Sequence, residues 1–258
     1  MSKKRPLILV VNDDGITAPG IRTLIRLMKD IGDVFVVAPD GPQSGMGHAI
    51  TLDSTLHAER VHIDQGDQVE YACSGTPVDC VKLAMNKLLP RRPDLCVSGI
   101  NHGSNSSINV LYSGTMSAAV EGAIEGLPSI GFSLLDHSHD ADFTHCEEFV
   151  KKITKQVLKN GLPKGVCLNV NIPKLNKEAI KGIKICRQAN GNWEEEFDER
   201  VSPQGKTYYW LTGKFVNYDK GEDTDILALE NDYISVVPVM FDVTAHHAIQ
   251  QLNYWNHG

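Results

Sequence analysis

The chain has 258 residues, 41% apolar and 22% charged, an ordinary globular composition long enough to bury roughly 70–75% of its unfolded surface without staples. Its 25 Lys and Arg against 32 Asp and Glu give a formal net charge of −7, with no basic run beyond Lys3-Lys4-Arg5. Long nucleic acid, which needs a basic footprint, is therefore a poor partner.

The first apolar run, Leu7–Val11, is too short for a signal-peptide core or a membrane span, and the cysteines at 73, 80, 96, 146, 167 and 186 form no CxxC pair. Cys73 and Cys96 sit in apolar runs and read as small buried hydrophobes. A cytoplasmic chain with reduced thiols and no membrane partner is expected. Leu7–Val11 predicts a strand buried on both faces, ending abruptly at Asn12-Asp13-Asp14-Gly15. Ile21, Leu24, Ile25, Met28 and Ile31 recur at helical spacing, with Pro19 in the first turn and Gly32 at the exit. Asp33–Pro39 is the next strand, so the chain opens as a right-handed β-loop-α-β unit with parallel strands. A Gly-, Pro- and Ser-rich loop over residues 40–47 leads into irregular strand-like sequence to about Ala72.

Thr76 predicts an N-cap, with Pro77 as first helical residue and Asp79 as third-position acid; Val78, Val81, Met85 and Leu88 form the buried stripe. Pro93–Ile100 is a buried strand that leads to Asn101 in a polar loop. After Ser113-Gly114-Thr115 comes a helix whose Ala118, Ala119, Gly122, Ala123 and Gly126 permit very close packing, and then a strand over Pro128–Leu134. Beyond Asp136 the sequence predicts a polar loop at 137–143, a helix over Cys146–Asn160 and strands at Val166–Ile172 and Ile180–Arg187. A long hairpin over Glu199–Gly213 turns at Ser202-Pro203-Gln204-Gly205 and carries Tyr208, Tyr209 and Trp210. Residues 219–225 read as acidic and exposed, Tyr233–Val239 as a strand and Ala245–Trp255 as the last helix, with His246-His247 on the surface. The pattern is α/β.

Asp13-Asp14 is the sharpest chemical feature. Ligands of parallel α/β sheets gather beyond the carboxyl ends of the strands, where this acidic pair lies. Adjacent carboxylates repel unless a cation compensates them, and their hard oxygens suit Mg²⁺ or Mn²⁺ better than a thiophilic metal. A cap on the following helix plus a solvated acid is the plainer alternative. Ser44 and Asn101, each in a polar stretch after a predicted strand, offer neutral oxygens to complete such a shell, although both are also common turn residues. Ser113-Gly114-Thr115 at a helix start resembles an anion cradle, and equally a simple N-cap. His48 and His102 lie near these loops and read as ordinary loop histidines. No dinucleotide fingerprint, Walker A loop or nucleophile elbow is present.

Taken together, these segments resemble one family, the survival protein E (SurE) nucleotidases. The resemblance rests on Asn12-Asp13-Asp14-Gly15, Val37-Ala38-Pro39-Asp40, Ser44 with Gly47-His48-Ala49-Ile50-Thr51, and Gly75-Thr76-Pro77-Val78-Asp79-Cys80-Val81. It continues through Ser98-Gly99-Ile100-Asn101, Tyr112-Ser113-Gly114-Thr115, Asn169-Val170-Asn171-Ile172-Pro173 and Arg200-Val201-Ser202-Pro203. It implies a Rossmann-like three-layer core with a parallel sheet over 1–136, and a remainder, 137–258, carrying a smaller C-terminal hairpin and helix arm that is exchanged in a homodimer or homotetramer. It implies a divalent metal, Mg²⁺ or Mn²⁺, on Asp13, Asp14, Ser44 and Asn101. Catalysis would fall to Asp13 and Asp14, and the phosphate would meet Asn105, Ser113, Gly114 and Thr115. The implied reaction is hydrolysis of 5′- and 3′-nucleoside monophosphates, with short polyphosphate as a further substrate. Ser107 and Asn109 depart from the Gly and Asp usual in the family.

On this reading a cation at the acidic pair polarises the phosphoryl oxygens and activates water, while the helix start at Ser113–Thr115 stabilises charge on the equatorial oxygens. Two other functions use acids at a strand end. A receiver-like Mg²⁺-binding signalling module would also need a phosphate-accepting Asp where the 93–100 strand leads to Asn101. An aspartyl-phosphate phosphatase would need alternating rather than adjacent acids.

Overall fold

The structure, a computed structural model, describes residues 5–138 and 140–257; Lys3 and Lys4 of the basic run and His139 of the 137–143 loop lie outside them. Its centre is β1 (Leu7–Val11), every residue of which is buried. Alternation of side chains along this strand feeds two separate cores. Ile8 and Val10 pack with Ile21, Leu24, Ile25 and Met28 of α1 (Pro19–Lys29) and with Val150, Ile153 and Val157 of α4 (Glu147–Asn160). Leu7, Leu9 and Val11 pack on the opposite face with Cys80 and Val81 of α2 (Pro77–Leu83) and Ala118 of α3 (Gly114–Ile124). The result is helix, sheet, helix.

β1 pairs in parallel with β2 (Asp33–Pro39) on one side and β5 (Leu95–His102) on the other, with Leu7 opposite Asp33 and Ile8 opposite Leu95. With β3 (Ala58–Val61), β4 (Val69–Cys73), β6 (Ser129–Leu134), β7 (Val166–Ile172), β8 (Gly182–Ile185) and β11 (Tyr233–Met240), the nine-stranded sheet has the order β3-β4-β2-β1-β5-β6-β7-β11-β8. Its pairs are parallel except β3 with β4 and β7 with β11. The order reverses between β1 and β5, and such a switch point opens a crevice beyond the strand ends. Residues beyond 136 extend this same sheet through β7, β11 and β8.

Most elements sit where the sequence places them. Thr76 caps α2 in a full capping box: its side chain accepts the Asp79 N–H, and the Asp79 carboxylate accepts the Thr76 N–H. The helix then continues as one π-helical turn over Ala84–Leu88. Four differences matter. Asn101 and His102 lie in β5 rather than in a following loop, because pairing with β6 resumes after a register shift between Ser98 and Asn101. The hairpin is longer than 199–213: β9 (Gly191–Val201) and β10 (Thr207–Asn217) pair in register from Gly191↔Asn217 to Val201↔Thr207. The acidic segment 219–225 is not uniformly exposed. Thr224 and Asp225 are buried at the start of α5 (Asp225–Glu230), where Asp225 accepts the N–H groups of Ser107, Ala189 and Ile226. Backbone donors, rather than solvent, take up its charge. The last helix, α6, is confined to His246–Leu252, followed by a 3₁₀ turn, and His246 lies 2.8 Å from Asp242.

α1 meets the sheet through Gly20, where an added Cβ would lie 2.0 Å from the carbonyl oxygen of Ile100 in β5. Gly20→Ala would gain about 1 kcal/mol of helix propensity but force a backbone overlap that side-chain rotation cannot relieve. The overlap should win, with a net loss of about 1–3 kcal/mol measured by urea unfolding. An unchanged midpoint would show that α1 slides freely on β5.

Candidate active site

The carboxyl end of β1 delivers Asp13 and Asp14 into the crevice. Asn12 shapes the turn by donating to the Gly15 carbonyl at 2.9 Å, and Gly15 takes a φ of 98°, which glycine adopts without strain. Asp13 is 3% exposed. Burial pushes its carboxyl up to about 6; the hydrogen bond from the Thr115 hydroxyl opposes this rise and neighbouring Asp14 adds to it. α3 begins directly against Asp13. A Cβ on Gly114 would stand 2.6 Å from Asp13 Cβ, so only glycine lets the helix tip approach this closely. The positive end of the helix dipole thus faces a buried carboxylate.

Asn101 comes from β5, on the far side of the switch. Its amide nitrogen donates to the carbonyls of His102 and Gly103, at 3.2 and 2.9 Å, which leaves Oδ1 as the group it offers to a ligand. Ser44 lies on an exposed loop that is tied down at several points. The Gln43 N–H donates to the Asp13 carbonyl at 2.7 Å and the Gly47 N–H to the Tyr112 carbonyl at 3.2 Å. Further along, Thr51 donates to Asp79 and Thr76 donates to the Ala49 carbonyl. His48 lies 2.9 Å from the buried carboxylate of Glu121 on α3, and Lys82 of α2 lies 2.6 Å from its other oxygen. Burial raises the Glu121 carboxyl, but these two partners outweigh burial and hold it below its usual value. His102 has a carboxylate neighbour too: its Nδ1 stands 3.2 Å from Asp14 Oδ2. Both histidines read as ordinary in the sequence therefore brace acidic side chains.

Asp13, Ser44, Asn101, Asn105 and Ser113 line one cavity of about 830 Å³. Its floor is a buried amide network. Asn105 donates its side-chain N–H to Ser133 and its backbone N–H to Asn171; Asn169 donates to the Asn105 carbonyl, and Asn171 to Asn169. One side-chain N–H of Asn105 is thereby engaged, and the second remains for a ligand. Ser113 Oγ accepts the Met116 N–H as the N-cap of α3. The Thr115 hydroxyl is turned to Asp13. Further lining residues, His137, Trp193, Phe215, Asn217 and Glu230, were not legible in the sequence, because the 137 loop, the β9–β10 hairpin and α5 that supply them are connected by no motif or spacing.

The donor set suits a hard divalent cation. The buried Asp13 carboxylate, next in the chain to that of Asp14, shares the cavity with the Asn101 amide and the Ser44 hydroxyl. It makes no hydrogen bond or ion pair with a basic side chain among the described residues, and the buried Asn12 Oδ1 has no hydrogen-bond partner among them. No three His, Cys, Asp or Glu side chains converge among the described residues, so any metal here relies on neutral oxygens.

The family described as Survival protein SurE matches residues 8–195. The chain belongs to the SurE family. It is 69% identical to a 5′-nucleotidase SurE of Christiangramia forsetii, over 99% of each chain, and 67% identical to a 5′-nucleotidase SurE of Flavobacterium psychrophilum, over 98% of each. A crystal structure of the SurE protein from Aquifex aeolicus superposes with a TM-score of 0.83 at 39% identity, covering 97% of this chain and 100% of that one.

Thr115 provides a test of the buried acid. Thr115→Val removes a donor from a buried carboxylate and should cost about 1–3 kcal/mol in urea unfolding with chelator present, whereas Thr115→Ser, which keeps the hydroxyl, should cost well under half of that. Equal losses in the two variants would assign the effect to packing alone.

Proposed function

We propose that this SurE-family nucleotidase is a metal-dependent phosphomonoesterase acting on nucleoside 5′- and 3′-monophosphates, with short polyphosphate as a secondary substrate. The observation that carries the reading is the buried Asp13 carboxylate beside Asp14, set against the tip of α3 at the switch point of the sheet. Asp13, Asp14, Asn101 and Ser44 would hold the cation, Mg²⁺ or Mn²⁺. Bound there, it supplies Lewis acidity to the phosphoryl group and lowers the pKa of water. The chain's own residues do the rest. The N-terminus of α3, at Ser113 and Gly114, and the second amide N–H of Asn105 take the phosphate oxygens, in a crevice whose low dielectric strengthens each bond. Thr115 keeps Asp13 ionised and aimed. Either Asp13 or Asp14 accepts a proton from the attacking water. A receiver-like signalling role fits less well, since β5 presents Asn101 where that function needs an acid.

A homodimer or homotetramer formed through the hairpin is part of this reading. Its support is a hairpin largely stripped of cover, with Phe197 66%, Tyr209 59%, Trp210 58% and Leu211 62% exposed. A cytoplasmic location is supported by six free, buried cysteines, and no helix among the described residues is long and apolar enough to cross a membrane.

Chelation should abolish phosphate release from AMP, and added Mg²⁺ or Mn²⁺ should restore it. Asp13→Asn and Asp14→Asn should each lower turnover by about 100-fold or more with native circular dichroism. Wild-type rates in either variant would remove that residue from the chemistry. For the assembly, Trp210→Asp combined with Leu211→Asp should shift sedimentation velocity to the monomer; an unchanged coefficient would place the subunit contact elsewhere.

A further inference from the structure

The cavity, about 830 Å³, is far larger than a phosphate and a cation require, and its lining mixes two chemistries. Asp13, Ser44, Asn101 and Ser113 supply its polar groups from the strand ends and the tip of α3, while Trp193 and Phe215 of the hairpin and Ile226 and Leu229 of α5 supply aromatic and aliphatic ones. We infer that the wall formed by the hairpin and α5 is a nucleobase subsite in which the Trp193 indole is the stacking platform, and that Asn109 is the residue that positions it. The inference rests on the nucleotidase reading of the polar groups and adds to it what the site recognises beyond the phosphate.

Three observations converge on Trp193. Its indole N–H donates to Asn109 Oδ1 at 2.8 Å, which fixes the polar edge of the ring. Phe215 packs against it in a T-shaped contact, with centroids 5.9 Å apart and planes at 72°, rather than stacking on it. The residue lines the cavity and is 40% exposed, the least of the three tryptophans, so part of its ring is open to a flat partner there. A heteroaromatic base has that flat apolar face; ribose phosphates and polyphosphate do not. Asn217 and Glu230, also in the cavity wall, bring an amide and a carboxylate to suit the mixed donor and acceptor edge of a base.

The platform is also rigid at its root. The Ser107 hydroxyl donates to the Ala189 carbonyl at 2.9 Å, while Asp225 accepts the N–H groups of both Ser107 and Ala189. An added Cβ on Gly191 would strike the Phe215 ring at 2.4 Å, so the start of β9 lies directly on β10 there. The 3₁₀ turn Ser107–Leu111 that carries Asn109 runs straight into Tyr112 and the Ser113 cap of α3. One short segment therefore holds both the base platform and the phosphate end in fixed relation.

The test compares AMP with ribose 5-phosphate, which carries the same ester without the base, at saturating Mn²⁺. Trp193→Ala should lower the ratio of kcat/KM for AMP over ribose 5-phosphate by roughly 10-fold to 100-fold, the worth of one base–aromatic stack. Trp193→Phe should recover much of it. Asn109→Leu should raise KM for AMP with little change in kcat, a split that general damage to the fold would not give. In parallel, AMP but not ribose 5-phosphate should quench indole fluorescence in the wild type, and Trp193→Phe, which retains Trp210 and Trp255, should lose that quenching. Hydrolysis of both esters with an unchanged ratio and no Trp193-dependent quenching overturns the subsite and leaves the nucleotidase reading standing. Quenching by AMP without hydrolysis of either ester overturns the nucleotidase reading and leaves the subsite standing.

Discussion

A carboxylate is kept out of water at the end of β1, and the surrounding architecture follows from keeping it there. Isolated, a buried acid protonates or draws in solvent. Here the tip of α3 lies against Asp13, the Thr115 hydroxyl donates to it, and Gly114 lacks the side chain that would hold the helix away. α3 reaches that position because it is built from small residues. An added Cβ on Gly122 would fall 2.4 Å from Ser129 Oγ, so the helix lies almost on the backbone of the sheet. The apolar residues of β1 then hold the strand immobile from both sides, which fixes where its acidic end emerges.

Around that fixed point the chain assembles parts that are distant in sequence. Asn101 arrives from the opposite side of the switch point, displaced by the register shift in β5. Ser44 arrives on a loop with little structure of its own, held by backbone bonds to Asp13 and Tyr112. The floor is a set of mutually satisfied amides from β7 and the 103–107 segment, a buried polar network in which each partner orients the next. Nearly every polar group at the site is placed by another polar group, not by exposure to solvent.

Much of this was legible in the sequence, and the reasons differ by element. β1, α1 and β2 announce themselves because burial on both faces of a strand and on one face of a helix leaves strong periodic signatures. The α2 cap was readable because Thr76, Pro77 and Asp79 satisfy a local rule that needs no tertiary information. Asp13, Ser44, Asn101, Asn105 and Ser113, distant in the chain, line one cavity, while Asp14 stands behind Asp13 against His102. The placement of Asn101 within β5 was not readable, since it depends on pairing with β6 after an irregularity. Nor was the burial of Asp225, whose partners Ser107 and Ala189 are distant along the chain and reach it only through the fold. Trp193 and Phe215 escaped for the same reason: a cavity wall drawn from a hairpin root and a short helix has no spacing rule.

The contact among His48, Lys82 and Glu121 bears on how this protein can change over generations. Glu121 belongs to α3, Lys82 to α2 and His48 to the loop that carries Ser44, so one submerged acid knits together three segments that otherwise share no chain continuity. The burden is unequal: Lys82 and His48 are partly exposed and would hydrate if Glu121 were lost, whereas the buried Glu121 depends on them for its charge. Change at these positions is therefore coupled in one direction: loss of either base is tolerated only alongside relief of the buried acid.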